Sequence, residues 1–327
     1  MAKHSRNLII IICILIFLLS LYLSVFAGHL TLTFKDFIDF LSFRSTDNSN
    51  ILGVLRIPRS FKAVIAGVCL ATSGLFMQTM TKNPLVEPYI TGVSSGAGIA
   101  LVTGILFEVS PFYYPILAFA GAITASMVVM SFAGLNKFSL VKLILIGLSI
   151  NIFAGSLMSM LIITNSSKSH NMMVILAGNL NSSLFVYTPL IILFVIAMIA
   201  SIFMVPKLNF YRLDNNIVSV LSGNKKNNGI FLVVLSAILA SISVCAAGIL
   251  GFVGIIIPHL SRLIVGIDFR WLFFVNMLLG ASIVLFSDFI ARNIIYPMEI
   301  PLGIVLSMLG APIFIGFLIF KGRNFSA

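Results

Sequence analysis

Two arginines on either side of a proline are the first residues in this sequence that could bind an anion. Arg56 and Arg59 flank Pro58 and precede a long apolar run. A proline suits the first position of a helix, so the pattern predicts a helix that begins at Pro58. The two arginines would share a face, because they are three residues apart. Cations at a helix N-terminus oppose the helix dipole, so an anion is expected nearby, such as a lipid phosphate or a carboxylate of the same chain.

A second candidate pair lies near the C-terminus. Asp288 and Arg292 are four residues apart in an apolar segment, with the acid before the base, which suits an ion pair on one helix face. An ionisable residue in such a segment is a functional candidate by default. A structural salt bridge near the membrane surface explains the pair equally well, so both interpretations remain open.

The common catalytic and cofactor motifs are missing from the sequence. There is no G-x-x-x-x-G-K-[ST] loop, so the chain should not hydrolyse ATP. No H-E-x-x-H, Cys-x-x-Cys or Ser/His/Asp arrangement stands out, so we predict neither an enzyme nor a bound metal or cofactor. Cys13, Cys69 and Cys245 lie in apolar runs and indicate small buried side chains. His259 beside Pro258 could ligate haem iron, but a packing or capping role in a broken helix is favoured.

The composition indicates a membrane protein. Of the 327 residues, 60% are hydrophobic and 9% are charged, whereas soluble domains carry about 25% charged residues. The apolar runs are continuous rather than alternating, which excludes a membrane β-barrel and predicts an all-α, polytopic protein. The net charge of +11 sits mostly in short loops between apolar runs. Membrane topology therefore explains the basic residues better than nucleic-acid binding does.

The apolar runs predict ten spans in a single transmembrane domain, residues 1–327. They cover about 8–27, 61–80, 90–107, 115–135, 143–163, 184–205, 230–250, 251–267, 272–295 and 302–320. The first is longer than the 7–15 residues of a signal-peptide core, so it is predicted to remain as a span. The eighth contains Gly254, Pro258 and His259, which favour a short or broken helix. A short interfacial helix is expected at 172–178, and 207–228 form the longest polar passage of the second half.

The basic residues also predict an orientation. Most Lys and Arg residues fall in the loops that would lie inside if both termini are cytoplasmic. The exceptions at outer span ends are Arg56, Arg59, Lys62 and Arg292. These four residues are therefore the candidates for an outer function.

Two blocks of residues resemble the permease subunits of ABC importers for ferric siderophores, haem and cobalamin, the FecCD-type family. The first block holds Arg56-x-Pro58-Arg59, Ser73-Gly74, Gln78, Asn83-Pro84-Leu85, Pro88, Gly92 and Ser95-Gly96-Ala97. The second holds Gly251-Phe252-x-Gly254, Pro258-His259-x-x-Arg262, Gly280-Ala281, Asp288, Arg292, Glu299-x-Pro301-x-Gly303 and Gly310-Ala311-Pro312-x-Phe314. The blocks keep their order across most of the chain. The resemblance implies a type II ABC importer permease fold, without naming a substrate.

The resemblance also implies partners and sites. In related permeases, outer arginines meet glutamates of an extracytoplasmic solute-binding protein, which implies docking at Arg56, Arg59 and Arg292. Pathway-lining residues are expected in the fifth and tenth spans, with Gly147 and Ser307 as candidates, although both could simply pack against neighbouring helices. A second permease subunit, identical or homologous, is expected to complete the path, and lipid surrounds both.

Residues 207–228 lie where related permeases dock into a separate ABC ATPase. The family pattern there resembles an acidic residue, small residues and Leu-Gly. The corresponding coupling residues here are Asn216, Leu221, Ser222 and Gly223. Gly223 fits this pattern, while Asn216 and Ser222 depart from it, which puts the individual contacts in doubt. An ordinary basic inner loop is the alternative.

Three functions of different class are compatible with these features. The first is the permease of an ATP-driven importer, with a ferric siderophore as the expected substrate, then haem, then cobalamin. The second is a self-sufficient secondary transporter, which would need ionisable residues deep in its spans; Asp288 is the main one. The third is a membrane scaffold, which would not stimulate a partner ATPase.

Overall fold

In the computed structural model, the chain is described over residues 3–28, 32–42, 46–134, 140–180, 188–209, 225–295 and 297–321, and these residues form helices and connecting turns. The α-helices are α1 (Lys3–Phe26), α2 (Phe34–Leu41), α3 (Asp47–Ile51), α4 (Ile57–Thr81), α5 (Val93–Leu106), α6 (Tyr114–Ala133), α7 (Leu140–Thr164), α8 (Ser166–Leu176), α9 (Thr188–Leu208), α10 (Lys225–Ala247), α11 (Val253–Val265), α12 (Phe269–Asn293) and α13 (Leu302–Lys321). A π-helix (Leu52–Arg56) joins α3 to α4, and 3₁₀ turns occupy Pro88–Thr91 and Pro111–Tyr113.

The predicted spans match helices of two lengths. Within the described ranges, seven helical stretches are long and apolar enough to cross a membrane. Three shorter apolar helices, Val93–Leu106, Val253–Val265 and Leu302–Gly316, fall where the third, eighth and tenth spans are predicted. The eighth is short, as Gly254 and Pro258 indicate. The helix expected at 172–178 overlaps the second half of α8, which begins earlier and ends at Leu176.

The second span begins earlier than predicted. A continuous helical stretch runs from Asp47 to Thr81, including α3, the π-helix and α4. Pro58 therefore does not start a helix; it follows Ile57, whose N–H donates to Leu52 O in the π-turn. Sequence periodicity missed these turns because the stretch before Pro58 is polar and contains a glycine. The expected opposition between the two arginines and a helix dipole does not apply, since the helix continues past them.

The core of the bundle is α4, which packs against α10 and α12. Small residues allow this close approach: a Cβ on Gly67 would overlap the Gly280 carbonyl, and one on Gly74 would overlap the Gly254 carbonyl. Buried serines add hydrogen bonds, with Ser73 Oγ 2.8 Å from Ser236 Oγ. Small residues and interhelical hydroxyl bonds are how helices associate in lipid, where the hydrophobic effect between helices is weak.

The loops that precede the short helices α5 and α11 are joined by hydrogen bonds. The Tyr89 hydroxyl accepts from the Leu250 N–H at 3.1 Å, which joins the loop before α5 to the loop before α11. At the end of α4, Gln78 Nε2 donates to the carbonyls of Gly254 and Ile255 at 3.2 and 3.1 Å. Arg262 Nη1 in turn donates to Gln78 Oε1 at 2.6 Å. The backbone groups that a broken helix exposes are thus satisfied inside the protein, as the membrane interior requires.

The segment after α8 joins three further elements. The N–H groups of Leu302 and Gly303 donate to Gly178 O and Ala177 O at 3.2 and 2.9 Å. The Asn179 N–H donates to Ala247 O at 3.0 Å. The buried Lys62 ammonium donates to the Leu180 carbonyl. Residues 177–180 therefore join the end of α8 to the end of α10, to the start of α13 and to Lys62 on α4.

Candidate functional site

The π-helix sets the direction of Arg56. A π-turn inserts one residue into the helical register and often lies at functional sites. It places Arg56 at the junction with α4, where Nη1 donates to Ala27 O at the end of α1, 2.7 Å away. The guanidinium also lies against Gly28, whose φ is +149° and where a Cβ would come 2.9 Å from Nη2. The positive φ favours glycine at this position.

Arg59 lies between two carboxylates of the same chain. Its Nε donates to Asp288 Oδ1 on α12 at 2.8 Å. Its Nη1 donates to Glu299 Oε2 and Oε1 at 2.9 and 3.2 Å. Glu299 belongs to the turn between α12 and α13, so one guanidinium joins three elements.

Arg292 holds the other side of Asp288. Its Nε is 3.0 Å from Asp288 Oδ2 and its Nη2 donates to Ser24 O at 2.8 Å. The expected i,i+4 pair on α12 is therefore present. Because Ser24 and Ala27 lie at the end of α1, Arg292 and Arg56 both place a cation at that helix C-terminus, where the dipole stabilises positive charge.

The cluster of Arg56, Arg59, Asp288, Arg292 and Glu299, called the outer arginine cluster below, is graded in burial. The Asp288 side chain is fully buried, and those of Arg59 and Arg292 are 12% and 9% exposed. The Glu299 side chain is 43% exposed. A buried carboxylate between two guanidinium groups is costly to disturb, because removal of one partner leaves an uncompensated charge. The buried part is a clamp between α1, α4 and α12, while Glu299 forms the partly exposed edge of the cluster.

These contacts change the explanation for the outer arginines. Carboxylates of the same chain already partner Arg59 and Arg292, so neither arginine requires an outside anion in order to be retained. The anion expected beside Arg59 is therefore a carboxylate of the same chain, one of the two alternatives that the sequence left open, and docking at these arginines stays a prediction. Sequence reasoning missed the Glu299 contact with Arg59, since the two are 240 residues apart; the Glu299-x-Pro301 motif was the available signal.

The two pathway candidates have different surroundings. Gly147 on α7 is buried, and a Cβ there would overlap the Ile90 carbonyl oxygen. The geometry at Gly147 favours the packing interpretation. Ser307 on α13 is half-buried, and its Oγ lies 3.5 Å from where a Cβ on Gly251 would be. Ser307 is therefore the better candidate for a residue that lines a pathway.

The predicted coupling residues Asn216, Leu221, Ser222 and Gly223 lie outside the described residues. The described residue before them, Asn209, accepts from the Phe269 N–H at 3.2 Å through Oδ1. The start of the 207–228 passage is thus joined to the start of α12, the helix that carries Asp288 and Arg292 at its other end.

Comparison with known proteins extends over almost the whole chain. The model of the FecCD transport family matches residues 14–321. The Fe(3+)-citrate import system permease protein YfmD of Bacillus subtilis (strain 168) is 31% identical over 325 residues, covering 98% of this chain and 97% of that protein. The hemin transport system permease protein HmuU of Yersinia pestis is 33% identical over 284 residues, covering 83% of each.

A solved structure supports the same architecture. An inward-facing metal-chelate type ABC transporter matches with a TM-score of 0.82 at 28% identity, covering 96% of this chain and 99% of that one. The helical arrangement described above, with its long and short spans, is similar to that of an ABC transporter permease.

Proposed function

This chain belongs to the FecCD transport family, and on that basis we propose that it is the permease subunit of an ATP-driven importer that moves an iron chelate across the cytoplasmic membrane. The observation that carries the proposal is the match, along nearly the full length of both chains, to a permease named for ferric citrate. A ferric siderophore is the preferred substrate. Haem is the next candidate, since a hemin permease is similarly related.

ATP hydrolysis belongs to a separate subunit in this proposal. The chain has no phosphate-binding loop. The ATPase would bind the inner passage 207–228, and both termini would lie on the same cytoplasmic side, as the distribution of Lys and Arg favours. The link from Asn209 to the start of α12 supports this passage as a route by which ATPase movement reaches the bundle.

An extracytoplasmic solute-binding protein would deliver the chelate to the outer arginine cluster. Arginine suits bidentate pairing with carboxylates, and the outer edge of the cluster is accessible. Three guanidinium groups exceed the two carboxylates by one charge, so the surface favours an acidic partner. Arg59 and Arg292 also hold the buried Asp288. Docking would therefore use the net positive charge of the cluster and the partly exposed edge at Glu299.

A second permease subunit would complete the transport path. On α13, Ile304, Met308, Ile315 and Ile319 are exposed and recur at four- and seven-residue intervals along one side. On α7, Leu145, Leu148, Ile152 and Phe153 are exposed as well. Such faces suit a homologous subunit or lipid. In the proposed dimer, the α13 face with Ser307 borders the path.

A secondary transporter is disfavoured by the surroundings of Asp288. Coupling to protons or sodium needs an ionisable group that can change its charge during transport. Asp288 is instead held between Arg59 and Arg292 at 2.8 and 3.0 Å, which favours one charged state.

The proposed function is tested by uptake in a strain that lacks this chain. The strain would be given ⁵⁵Fe as citrate, as a hydroxamate chelate, as a catecholate chelate and as haem, with labelled cobalamin as the comparison. We expect loss of uptake for one iron compound, restored by the plasmid-borne chain. Normal uptake of every iron compound together with loss of cobalamin uptake would overturn the iron assignment.

A further inference from the structure

The two carboxylates that bind Arg59 differ in how easily they can be exchanged. Asp288 is fully buried and is also held by Arg292. Glu299 is 43% exposed and stands in the short turn between α12 and α13. Asp288 takes the inner Nε edge of Arg59, whereas both oxygens of Glu299 take Nη1 on the outer side. Buried Asp288 thus holds the Nε of Arg59, and partly exposed Glu299 covers its Nη1.

The position of Glu299 is the one that a carboxylate arriving from outside would need. A guanidinium presents its N–H donors in a fixed planar fork, so a second carboxylate cannot use the same N–H groups at full strength while Glu299 holds them. An exposed ion pair of this kind is weak and is screened by salt, while a buried pair is not readily broken. Exchange would therefore occur at Glu299 and leave Asp288 in place.

We propose that Glu299 is an internal competitor: it occupies the outer edge of Arg59 until a carboxylate of the docking protein displaces it. The proposal rests on the proposed function, because it assigns a regulatory role within the same docking surface. Glu299 lowers the positive charge of the free surface and covers one donor edge. It thereby weakens the docking of partners that present too few carboxylates.

The turn that carries Glu299 has the features that displacement needs. Two apolar residues before Glu299, Ile295 and Met298, are 54% and 70% exposed. The turn is anchored at its end by the Ile300 N–H, which donates to Ala291 O at 3.0 Å. The backbone at Glu299 is therefore held in place, while its 43% exposed side chain reaches the surface.

The matched control is another outer-loop carboxylate. Glu108 Oε1 lies 2.7 Å from Lys168 Nζ, and its side chain is 78% exposed. The Lys168 hydrogen bond holds the pKa of Glu108 below its ordinary value, so Glu108 is charged at neutral pH. Glu108→Gln makes the same change of charge on the same face, away from the arginines.

The experiment measures docking to the whole transporter. The chain would be reconstituted in nanodiscs with its ATPase, and the probe is the purified solute-binding protein that stimulates ATP hydrolysis by the wild-type complex. Association rates would be recorded at low and moderate salt for the wild type, Glu299→Gln, Glu299→Asp and Glu108→Gln. We expect Glu299→Gln to associate about threefold or more faster at low salt, since electrostatic steering changes such rates by tenfold and beyond. Glu299→Asp, which keeps the charge but is shorter by one methylene, should give part of this gain, and Glu108→Gln should give little.

Each result decides the proposal. A rate for Glu299→Gln equal to that of the wild type, or to that of Glu108→Gln, would overturn it. Weaker docking of Glu299→Gln would overturn it as well, because Glu299 would then position Arg59 for the partner. The proposed docking surface is tested separately by Arg56→Gln. If that variant docks as well as the wild type, the docking surface is wrong. If Arg56→Gln docks more weakly but Glu299→Gln associates no faster than the wild type, only the competition by Glu299 is rejected.

Discussion

The Nε of Arg59 lies 2.8 Å from Oδ1 of Asp288, although 229 residues separate the two along the chain. The contact joins α4, the core helix, to α12, and Arg292 closes the other side of the carboxylate at 3.0 Å. One buried carboxylate therefore orients two of the three arginines on the outer face. The packing of α4 against α12 and the proposed docking of a binding protein therefore both depend on the Asp288 carboxylate.

Loss of the Asp288 charge should destabilise the bundle. In Asp288→Asn, two largely buried guanidinium groups would face a neutral amide, and disruption of a buried ion pair in this way costs about 3–5 kcal/mol. We expect a clear fall in the thermal unfolding midpoint of the purified protein in detergent, together with lower membrane yield.

Glu299→Gln is the control for that stability measurement. Its carboxylate is 43% exposed, and an exposed pair contributes about 0.2–1 kcal/mol. Its midpoint should stay close to that of the wild type. Equal losses in the two variants would show that burial does not separate the roles of the two carboxylates.

The two glycines of α7, Gly147 and Gly155, allow a test of whether Gly147 packs against a neighbour or lines the pathway. A Cβ on Gly147 would overlap the Ile90 carbonyl, whereas no atom lies within 4 Å of a Cβ on Gly155. Gly147→Ala should reduce protein level and uptake in parallel, and Gly155→Ala should change neither greatly. Immunoblots of membranes and uptake of labelled chelate by the same cells provide the comparison. A normal level of Gly147→Ala with lost uptake would restore Gly147 as a pathway residue.

Ser307 should behave differently from Gly147. It is half-buried and adjoins the exposed Met308, so we expect a larger side chain to be accommodated in the single subunit. We expect Ser307→Leu to reduce uptake about tenfold while protein level stays within about twofold, a difference of roughly 1.4 kcal/mol in barrier height. Parallel losses of level and uptake would instead assign Ser307 to packing.

The apolar runs predict where the spans lie, because lipid requires long, continuous apolar helices, and Pro258 predicts that the eighth is short. The i,i+4 spacing predicts the Asp288–Arg292 pair because that contact is local. Arg59 is different: its partners come from another helix and another turn, which one sequence does not bring together. The start of the second span was missed because the polar residues 47–50 are typical of a loop, whereas the structure continues the helix through them and through a π-turn.

The inner passage should be required for assembly with the ATPase. Deletion of residues 216–223 should leave membrane insertion intact, because the spans on both sides remain. The ATPase should no longer co-purify with the deleted chain, and the isolated chain should show no ATP hydrolysis of its own. A complex that survives the deletion would contradict the assignment of this passage.

The outer arginines should control docking in proportion to their accessibility. Arg56→Glu is the most informative change, because Arg59→Glu and Arg292→Glu would each set a second carboxylate against Asp288. We expect Arg56→Glu to weaken binding-protein affinity at least about tenfold at low salt and less at moderate salt. Glutamate-to-arginine changes on the binding protein should recover part of the loss.

Lys168→Glu is the matched control for that docking measurement. Lys168 is an outer-loop cation paired with Glu108 at 2.7 Å, away from the cluster. Its reversal should affect affinity much less than Arg56→Glu. Unchanged affinity in the double variant Arg56→Glu/Arg59→Glu, with the protein folded, would remove this site and leave lipid phosphate as the partner of Arg56.

The most direct test of the account is transport by purified components. Proteoliposomes would contain this chain and its ATPase, with ATP enclosed, and would receive the ⁵⁵Fe chelate chosen by the deletion strain together with the solute-binding protein. The account predicts accumulation of iron only when both ATP and the binding protein are present. Accumulation without ATP, driven by a proton or sodium gradient alone, would contradict it.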